Sequence, residues 1–103
     1  MLKDDGMIET NSTLAADDSF TSSTVSCDED VAVVGTVFAD EAGTLKIQFD
    51  DGSGNWDAEE TREYTANEKL GFKVSVVAPY FRVIYDNGAT AQGTLRLKAW
   101  EMV

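Results

Sequence analysis

One stretch of the chain, residues 36–57, contains strand-like and turn-like runs in close succession and narrowly limits the fold. Apolar and polar side chains alternate strictly through residues 44–50 (TLKIQFD), a period of two that is typical of a β-strand with one buried and one solvated side. The following DDGSGN, residues 50–55, contains glycines and short polar residues that favour chain reversal. Together with the apolar and β-branched run at residues 31–39, this pattern predicts a β-hairpin.

The rest of the chain repeats strand and turn signals at short, regular intervals. Further strand-like segments lie at residues 20–27, 61–65, 70–77, 80–85 and 93–100. A helix over residues 58–63 is the alternative for one of them, and no segment has a convincing helical period. The sequence therefore predicts an all-β fold, a single antiparallel β-sandwich of the immunoglobulin-like or jelly-roll-like type with about seven to eight strands.

The N-terminal residues 1–18 differ from this pattern. They carry few large apolar side chains and no sustained period, so they cannot offset their ordering entropy alone. We expect an extended, flexible N-terminal arm, either mobile or ordered along a partner or a neighbouring subunit. A chain of 103 residues is long enough for one core, so residues 19–103 are expected to form one sandwich domain.

The charge balance limits the partners. Nineteen Asp and Glu against eight Lys and Arg give a formal net charge of −11, which repels nucleic acid and anionic membrane surfaces. The first residues lack the basic and apolar regions of a signal peptide, and no apolar run approaches the length of a membrane span. We expect a soluble protein, made in a reducing compartment, that binds neither nucleic acid nor membrane.

The residue types also argue against catalysis and against a cofactor. The sequence has no histidine and one cysteine, Cys27, so it offers no Cys/His zinc site and no Ser/His or Cys/His nucleophile pair. Pairs of carboxylates are frequent by chance in so acidic a chain. We expect no enzyme activity, no cofactor and no metal, with Cys27 as a partly buried, unreactive thiol.

The acidic loop after the alternating strand is a candidate ligand site, since its oxygen ligands are of the kind that calcium prefers. Its spacing fails as an EF-hand: counted from Asp51, the sixth position is Trp56 and the twelfth is Arg62. A hairpin turn with a solvated acidic loop is favoured. The residues of a possible ligand loop are Asp50, Asp51, Asn55, Trp56 and Asp57.

Aromatic and cationic side chains indicate a contact surface. Arg96, Lys98 and Trp100 fall on one face of the last predicted strand, and arginine and aromatic residues are enriched in interface cores. Trp56 and Trp100 can alternatively stack on a sugar ring or cover the core. The candidate residues for contact with a partner or with another subunit are Leu2, Met7, Ile8, Tyr80, Arg96 and Trp100.

Four groups of residues, in this order along the chain, carry a resemblance: ADEAGTL (39–45), DG with NWD (51–57), PYFRV (79–83) and YDNGATAQ (85–92). Over about residues 12–98 the chain resembles small β-sandwich virion proteins of tailed bacteriophages, which occur as capsid decoration proteins and as modules of head fibres and tail proteins. The resemblance implies a structural, non-enzymatic protein, often trimeric, that is displayed on a particle. It supplies no catalytic residues.

On this resemblance we expect a capsid decoration (cement) protein. It would be made in the host cytoplasm, bind the major capsid protein on the outer surface of the virion as a homotrimer, and stabilise the shell. The alternative is a tail or fibre module that binds host-surface carbohydrate through Trp56 and the loop at residues 50–57.

Overall fold

The computed structural model describes residues 2–27 and 30–103, and the side chains of residues 8–27 and 30–103. The described residues form strands and no helix. The strands are β1 (Leu2–Leu14), β2 (Ser19–Thr21), β3 (Val25–Ser26), β4 (Ala32–Ala39), β5 (Gly43–Asp50), β6 (Ala58–Tyr64), β7 (Leu70–Ser75), β8 (Tyr80–Asn87) and β9 (Gln92–Met102). No helix of the length and apolarity that a bilayer requires occurs in this described part.

The strands form two antiparallel sheets, which confirms the predicted all-β sandwich. The first sheet has the order β1-β9-β4-β7, and the second has the order β2-β8-β5-β6 with β3 also paired to β8. The described residues contain nine strands, where the sequence predicts about seven to eight. The difference arises because the segment at 20–27 divides into β2 and β3, and because β1 precedes the predicted sandwich.

The core lies between the sheets and is made by alternating residues of the strands. On β5, β8 and β9 these side chains are at most 2% exposed: Leu45, Ile47, Phe49, Phe81, Val83, Tyr85, Leu95, Leu97 and Ala99. Burial of each large apolar side chain contributes about 1.5–3 kcal/mol. Cys27 is 1% exposed, and its thiol contacts the carbonyl of Ala78 at 3.3 Å.

The predicted hairpin of residues 31–39 and 44–50 is wrong. Strand β4 pairs with β7 and β9, whereas β5 pairs with β6 and β8 in the other sheet, so residues 40–42 cross between the sheets. The hairpin is β5–β6. Residues 58–64 form an edge strand, so the helical alternative is also wrong. The period of two identifies which side chains face the core, but it does not identify the neighbouring strand.

The N-terminal segment is the edge strand of the first sheet. Strand β1 pairs with β9, with Ile8 opposite Ala99 and Ser12 opposite Leu95. Ile8 and Leu14 are buried. The sequence predicts a flexible arm over residues 1–18. In the structure, Leu2–Leu14 lies along another strand of the same chain. Pairing of the β1 backbone with β9 holds this segment in place, and backbone pairing does not depend on a pattern of side chains in the sequence. The division into an arm and a sandwich domain remains a prediction.

Candidate functional site

The predicted ligand loop is a hydrogen-bonded turn between β5 and β6. The Asp50 carboxylate, 8% exposed, accepts hydrogen bonds from the amides of Gly52 at 2.9 Å and Gly54 at 3.2 Å. Both glycines have positive φ, 103° and 89°, which other residues rarely adopt. One oxygen of the Asp50 carboxylate therefore holds the turn.

The other polar residues of the loop bond mainly to each other. Asp51 accepts a hydrogen bond from the Ser53 amide at 3.0 Å, and the Asn55 amide donates to the Ser53 hydroxyl at 3.2 Å. Hydrogen bonds from the Ser53 hydroxyl and amide hold the pKa of Asp51 below its ordinary value. Asp57 is exposed. The described residues contain no group of three or more Asp, Glu or Cys that could hold a metal ion.

Trp56 belongs to a row of side chains on the outer face of the second sheet. Gln48 of β5 lies opposite both Glu59 of β6 and Arg82 of β8. The Gln48 amide donates to Glu59 at 2.7 Å, and Arg82 Nε donates to the Gln48 carbonyl oxygen at 2.8 Å. The Arg82 guanidinium then lies 4.2 Å from the centre of the Trp56 ring, a cation–π distance. We call Trp56, Arg82, Gln48 and Glu59 the Trp56 ladder.

The Trp56 ladder presents a fixed guanidinium and an aromatic ring at the surface. Among the described residues, the terminal nitrogens of Arg82 make no hydrogen bond, and Trp56 is half-buried. Tyr80, 38% exposed, lies on the same strand as Arg82, two residues away, and its ring borders the loop at Gly52. Planar hydrogen-bonding groups beside aromatic rings can bind a polar ligand with an apolar face.

A second candidate surface lies on the outer face of the first sheet. The Arg96 guanidinium lies 4.7 Å from the centre of the Phe38 ring, and the Lys98 ammonium pairs with Glu9 at 2.9 Å. Trp100 follows on the same face of β9 and is half-buried. An open groove of about 480 Å³ is lined by Thr36, Val37, Phe38, Lys69, Leu70 and Arg96. We call Phe38, Lys69, Arg96, Lys98 and Trp100 the cationic face.

The structure divides the predicted contact residues. Arg96 and Trp100 share the cationic face, whereas Tyr80 lies on the outer face of the other sheet. Ile8 is 5% exposed and faces the core, so its side chain offers little contact area. The side chains of Leu2 and Met7 lie outside the described residues.

Sequence reasoning missed several members of both surfaces. Gln48, Glu59 and Arg82 join Trp56 only through the register of three strands. Phe38 joins Arg96 because β4 and β9 are neighbours although they are far apart in sequence. Outward alternation along each strand was the available signal, but it gave no pairing between strands.

The sequence matches, over residues 1–102, the family described as "Uncharacterised protein YqxG N-terminal domain". The chain belongs to this family. No curated protein matches the sequence.

The fold of this chain resembles solved structures, two of which are described here. The crystal structure of PBSX exported protein XepA has a TM-score of 0.85 and 22% identity, over 96% of this chain and 37% of that chain. The structure of TmCBM61 in complex with β-1,4-galactotriose has a TM-score of 0.54 and 13% identity, over 98% of this chain and 86% of that chain. At these identities the likeness shows the fold alone, and this chain spans 37% of the length of XepA.

Proposed function

We propose that this chain is a non-enzymatic structural protein of a phage-related particle and acts as a capsid decoration protein. The observation that most supports the phage-related setting is the likeness to PBSX exported protein XepA, which covers 96% of the chain at a TM-score of 0.85. The resemblance of the turn sequences to phage virion proteins is an independent argument for the same setting.

The cationic face is suited to the contact that decoration requires. It combines Arg96, Phe38 and Trp100, residue types that are enriched in interface cores. Our proposal is that this face and strand β1, with Leu2 and Met7, contact the major capsid protein or a neighbouring copy. The protein then acts as a homotrimer on the outer surface of the virion after synthesis in the host cytoplasm.

The first test is the number of copies in purified particles, measured by quantitative mass spectrometry against the major capsid protein. A ratio of the same order as the capsid protein supports decoration. A few copies per particle would overturn decoration in favour of a tail or fibre location, and absence would overturn the virion setting.

A second test locates the contact. Capsids that lack the protein are mixed with purified wild type, with the double variant Arg96→Ala/Trp100→Ala, or with the control Tyr80→Ala on the opposite face. We expect only the double variant to lose binding, whereas wild type and the control bind. The double variant should leave the melting temperature of the capsids at its value without added protein. Equal binding by all three proteins would contradict the assigned surface.

Carbohydrate binding is the second candidate function, favoured by the Trp56 ladder and by a fold neighbour that is in complex with a galactotriose. Trp56 belongs to the loop at residues 50–57, and the ring of Tyr80 borders the same loop at Gly52. A sugar ring would stack on an aromatic ring, and its hydroxyl groups would bond to Arg82 and Glu59.

A glycan array that includes β-1,4-galactotriose tests this candidate with wild type, Trp56→Ala and the control Trp100→Ala. Binding that Trp56→Ala abolishes and Trp100→Ala retains would support it. A silent array, or equal binding by both variants, would exclude sugar binding at the Trp56 ladder.

A further inference from the structure

The cations whose side chains are described lie on both sheets: Lys46, Arg62 and Arg82 on the second, and Lys69, Lys73, Arg96 and Lys98 on or beside the first. On the outer face of the first sheet, Lys69 and Arg96 line the groove that Phe38 also lines. Lys98 and Arg96 line a neighbouring pocket together with Glu9. Within the described residues Lys69 and Arg96 make no ion pair, and Lys98 pairs with Glu9 at 2.9 Å. On a molecule of net charge −11, this face is a local exception to the overall charge.

The opposite charge is concentrated along strand β6, an edge strand of the second sheet. Five acidic side chains of this strand and of the preceding loop are exposed: Asp51, Asp57, Glu59, Glu60 and Glu63. Glu60 pairs with Arg62 of the same strand at 3.0 Å, and Glu59 accepts from Gln48. Within the described residues Asp57 and Glu63 make no ion pair. We call these five residues the acidic edge.

We propose that the cationic face of one copy binds the acidic edge of a second copy of this chain. The two surfaces have opposite charge, and complementary charge sets the orientation and partner of an interface. Two copies that met through their cationic faces would place Lys69 and Arg96 of one copy against the same cations of the other. Two copies that met through their acidic edges would repel each other more strongly. Phe38 and Trp100, both half-buried, provide the apolar area that becomes covered in the contact.

This inference rests on the proposed function only in that a decoration protein acts as many adjacent copies. Purified protein without particles tests the self-contact, whereas the particle copy number tests decoration. Failure of one therefore does not imply failure of the other.

The test compares two sets of charge reversals by sedimentation velocity at low and high salt. The face variant is Lys69→Glu/Arg96→Glu, and the edge variant is Asp57→Lys/Glu63→Lys. We expect wild type to self-associate at low ionic strength and less at high, because salt screens exposed charges. Each variant alone should associate at least about tenfold more weakly than wild type.

The edge variant separates this proposal from general repulsion. Its net charge is less negative than −11, so relief of general repulsion would strengthen its association, whereas our proposal predicts weakening. An equimolar mixture of the two variants should associate again, because the acidic face of one meets the basic edge of the other. Both variants retain a negative net charge, so overall attraction does not account for association in the mixture.

Circular dichroism and thermal melting check that both variants fold. If either variant is unfolded, a neutral double variant takes its place: Lys69→Gln/Arg96→Gln on the face, or Asp57→Asn/Glu63→Gln on the edge. Each neutral double variant should associate more weakly than wild type. Wild type that stays monomeric at low salt, an edge variant that associates more tightly than wild type, or a mixture that stays monomeric would overturn the proposal.

Discussion

The hydroxyl of Tyr64 accepts a hydrogen bond from the backbone amide of Ala39 at 2.8 Å and thereby joins the two sheets. Tyr64 is 3% exposed and ends β6, whereas Ala39 ends β4 in the other sheet. The hydroxyl also lies 2.6 Å from the carbonyl oxygen of Glu68 and 3.0 Å from that of Ala39, to either of which its one proton can be donated. One side chain therefore fixes the place where the chain crosses between sheets.

We predict that Tyr64→Phe lowers the free energy of unfolding by about 1–3 kcal/mol, because it leaves the buried amide of Ala39 without its hydrogen-bond acceptor. Urea denaturation measures the difference. The control is Tyr80→Phe, at an exposed tyrosine, which should change stability by less than about 0.5 kcal/mol. Equal effects of the two substitutions would show that the sheet connection does not depend on this hydroxyl.

Gly35 and Gly71 lie on neighbouring strands and give a matched pair of substitutions. A Cβ at Gly35 would clash with the carbonyl oxygen of Lys98 and would come within 2.5 Å of the Phe72 ring. A Cβ at Gly71 would meet its nearest atom, the Gly35 carbonyl oxygen, at 3.9 Å, an ordinary contact. We expect Gly35→Ala to destabilise by about 1–3 kcal/mol or more.

Gly71→Ala should be close to neutral, within about 0.5 kcal/mol. Thermal melting of both variants measures the contrast. A Gly35→Ala protein as stable as wild type would mean that the strands separate at this position without cost.

The strands were largely predictable because burial on one side produces a period of two. Arg96, Lys98 and Trp100 are predicted to share one face of the last strand, and the residues that alternate with them, Leu95, Leu97 and Ala99, are fully buried. The connection after Ala39 was not predictable in the same way. The short polar sequence at residues 40–42 is compatible both with a tight turn and with a crossing between sheets, and the choice depends on strands from the other end of the chain.

The candidate site shows the same division. Trp56 and Trp100 were identified by residue type, and Arg96 by alternation. The contact of Arg82 with Trp56 depends on a loop geometry that local sequence does not determine, and the contact of Arg96 with Phe38 depends on pairing between β4 and β9. Composition gave the net charge, but the strand order was needed to separate a cationic face from an acidic edge.

Gln92 is a buried polar side chain whose replacement by leucine should not destabilise the protein. Its side chain is 3% exposed, and neither amide atom has a hydrogen-bond partner among the described residues. Because a buried unpaired polar group costs about 1–3 kcal/mol, Gln92→Leu should leave stability unchanged or raise it by about that amount. Differential scanning calorimetry measures the change in melting temperature.

Asn87 is the matched control, since its amide nitrogen lies 2.9 Å from the carbonyl oxygens of both Ala15 and Thr90. Asn87→Leu should therefore destabilise the protein. Destabilisation by Gln92→Leu of the same size would contradict the prediction and would indicate a water molecule bound to the Gln92 amide.

The ion pair of Lys46 with Asp86, 2.8 Å apart on the outer face of the second sheet, predicts a dependence of stability on pH. Burial raises the pKa of Asp86, but hydrogen bonds from Lys46 and Ser19 outweigh it, so the pKa is lowered overall. The hydrogen bond to Asp86 raises the pKa of Lys46. Both side chains are about one-third exposed, so the pair contributes about 0.2–1 kcal/mol.

The lowered pKa of Asp86 means that its contribution is present above about pH 4, the ordinary range of the carboxyl group, and is lost as the pH falls through its lower folded value. The raised pKa of Lys46 means that its contribution is present below about pH 10 and is lost as the pH rises through its higher folded value. Wild type should therefore exceed Lys46→Met in unfolding free energy by a constant amount between about pH 5 and pH 9, and by less below about pH 3. Urea denaturation across this range measures the difference. The control is Lys69→Met, which removes a lysine that has no ion pair among the described residues. A difference that persists undiminished in acid would show that Lys46 stabilises through its methylene groups rather than through Asp86.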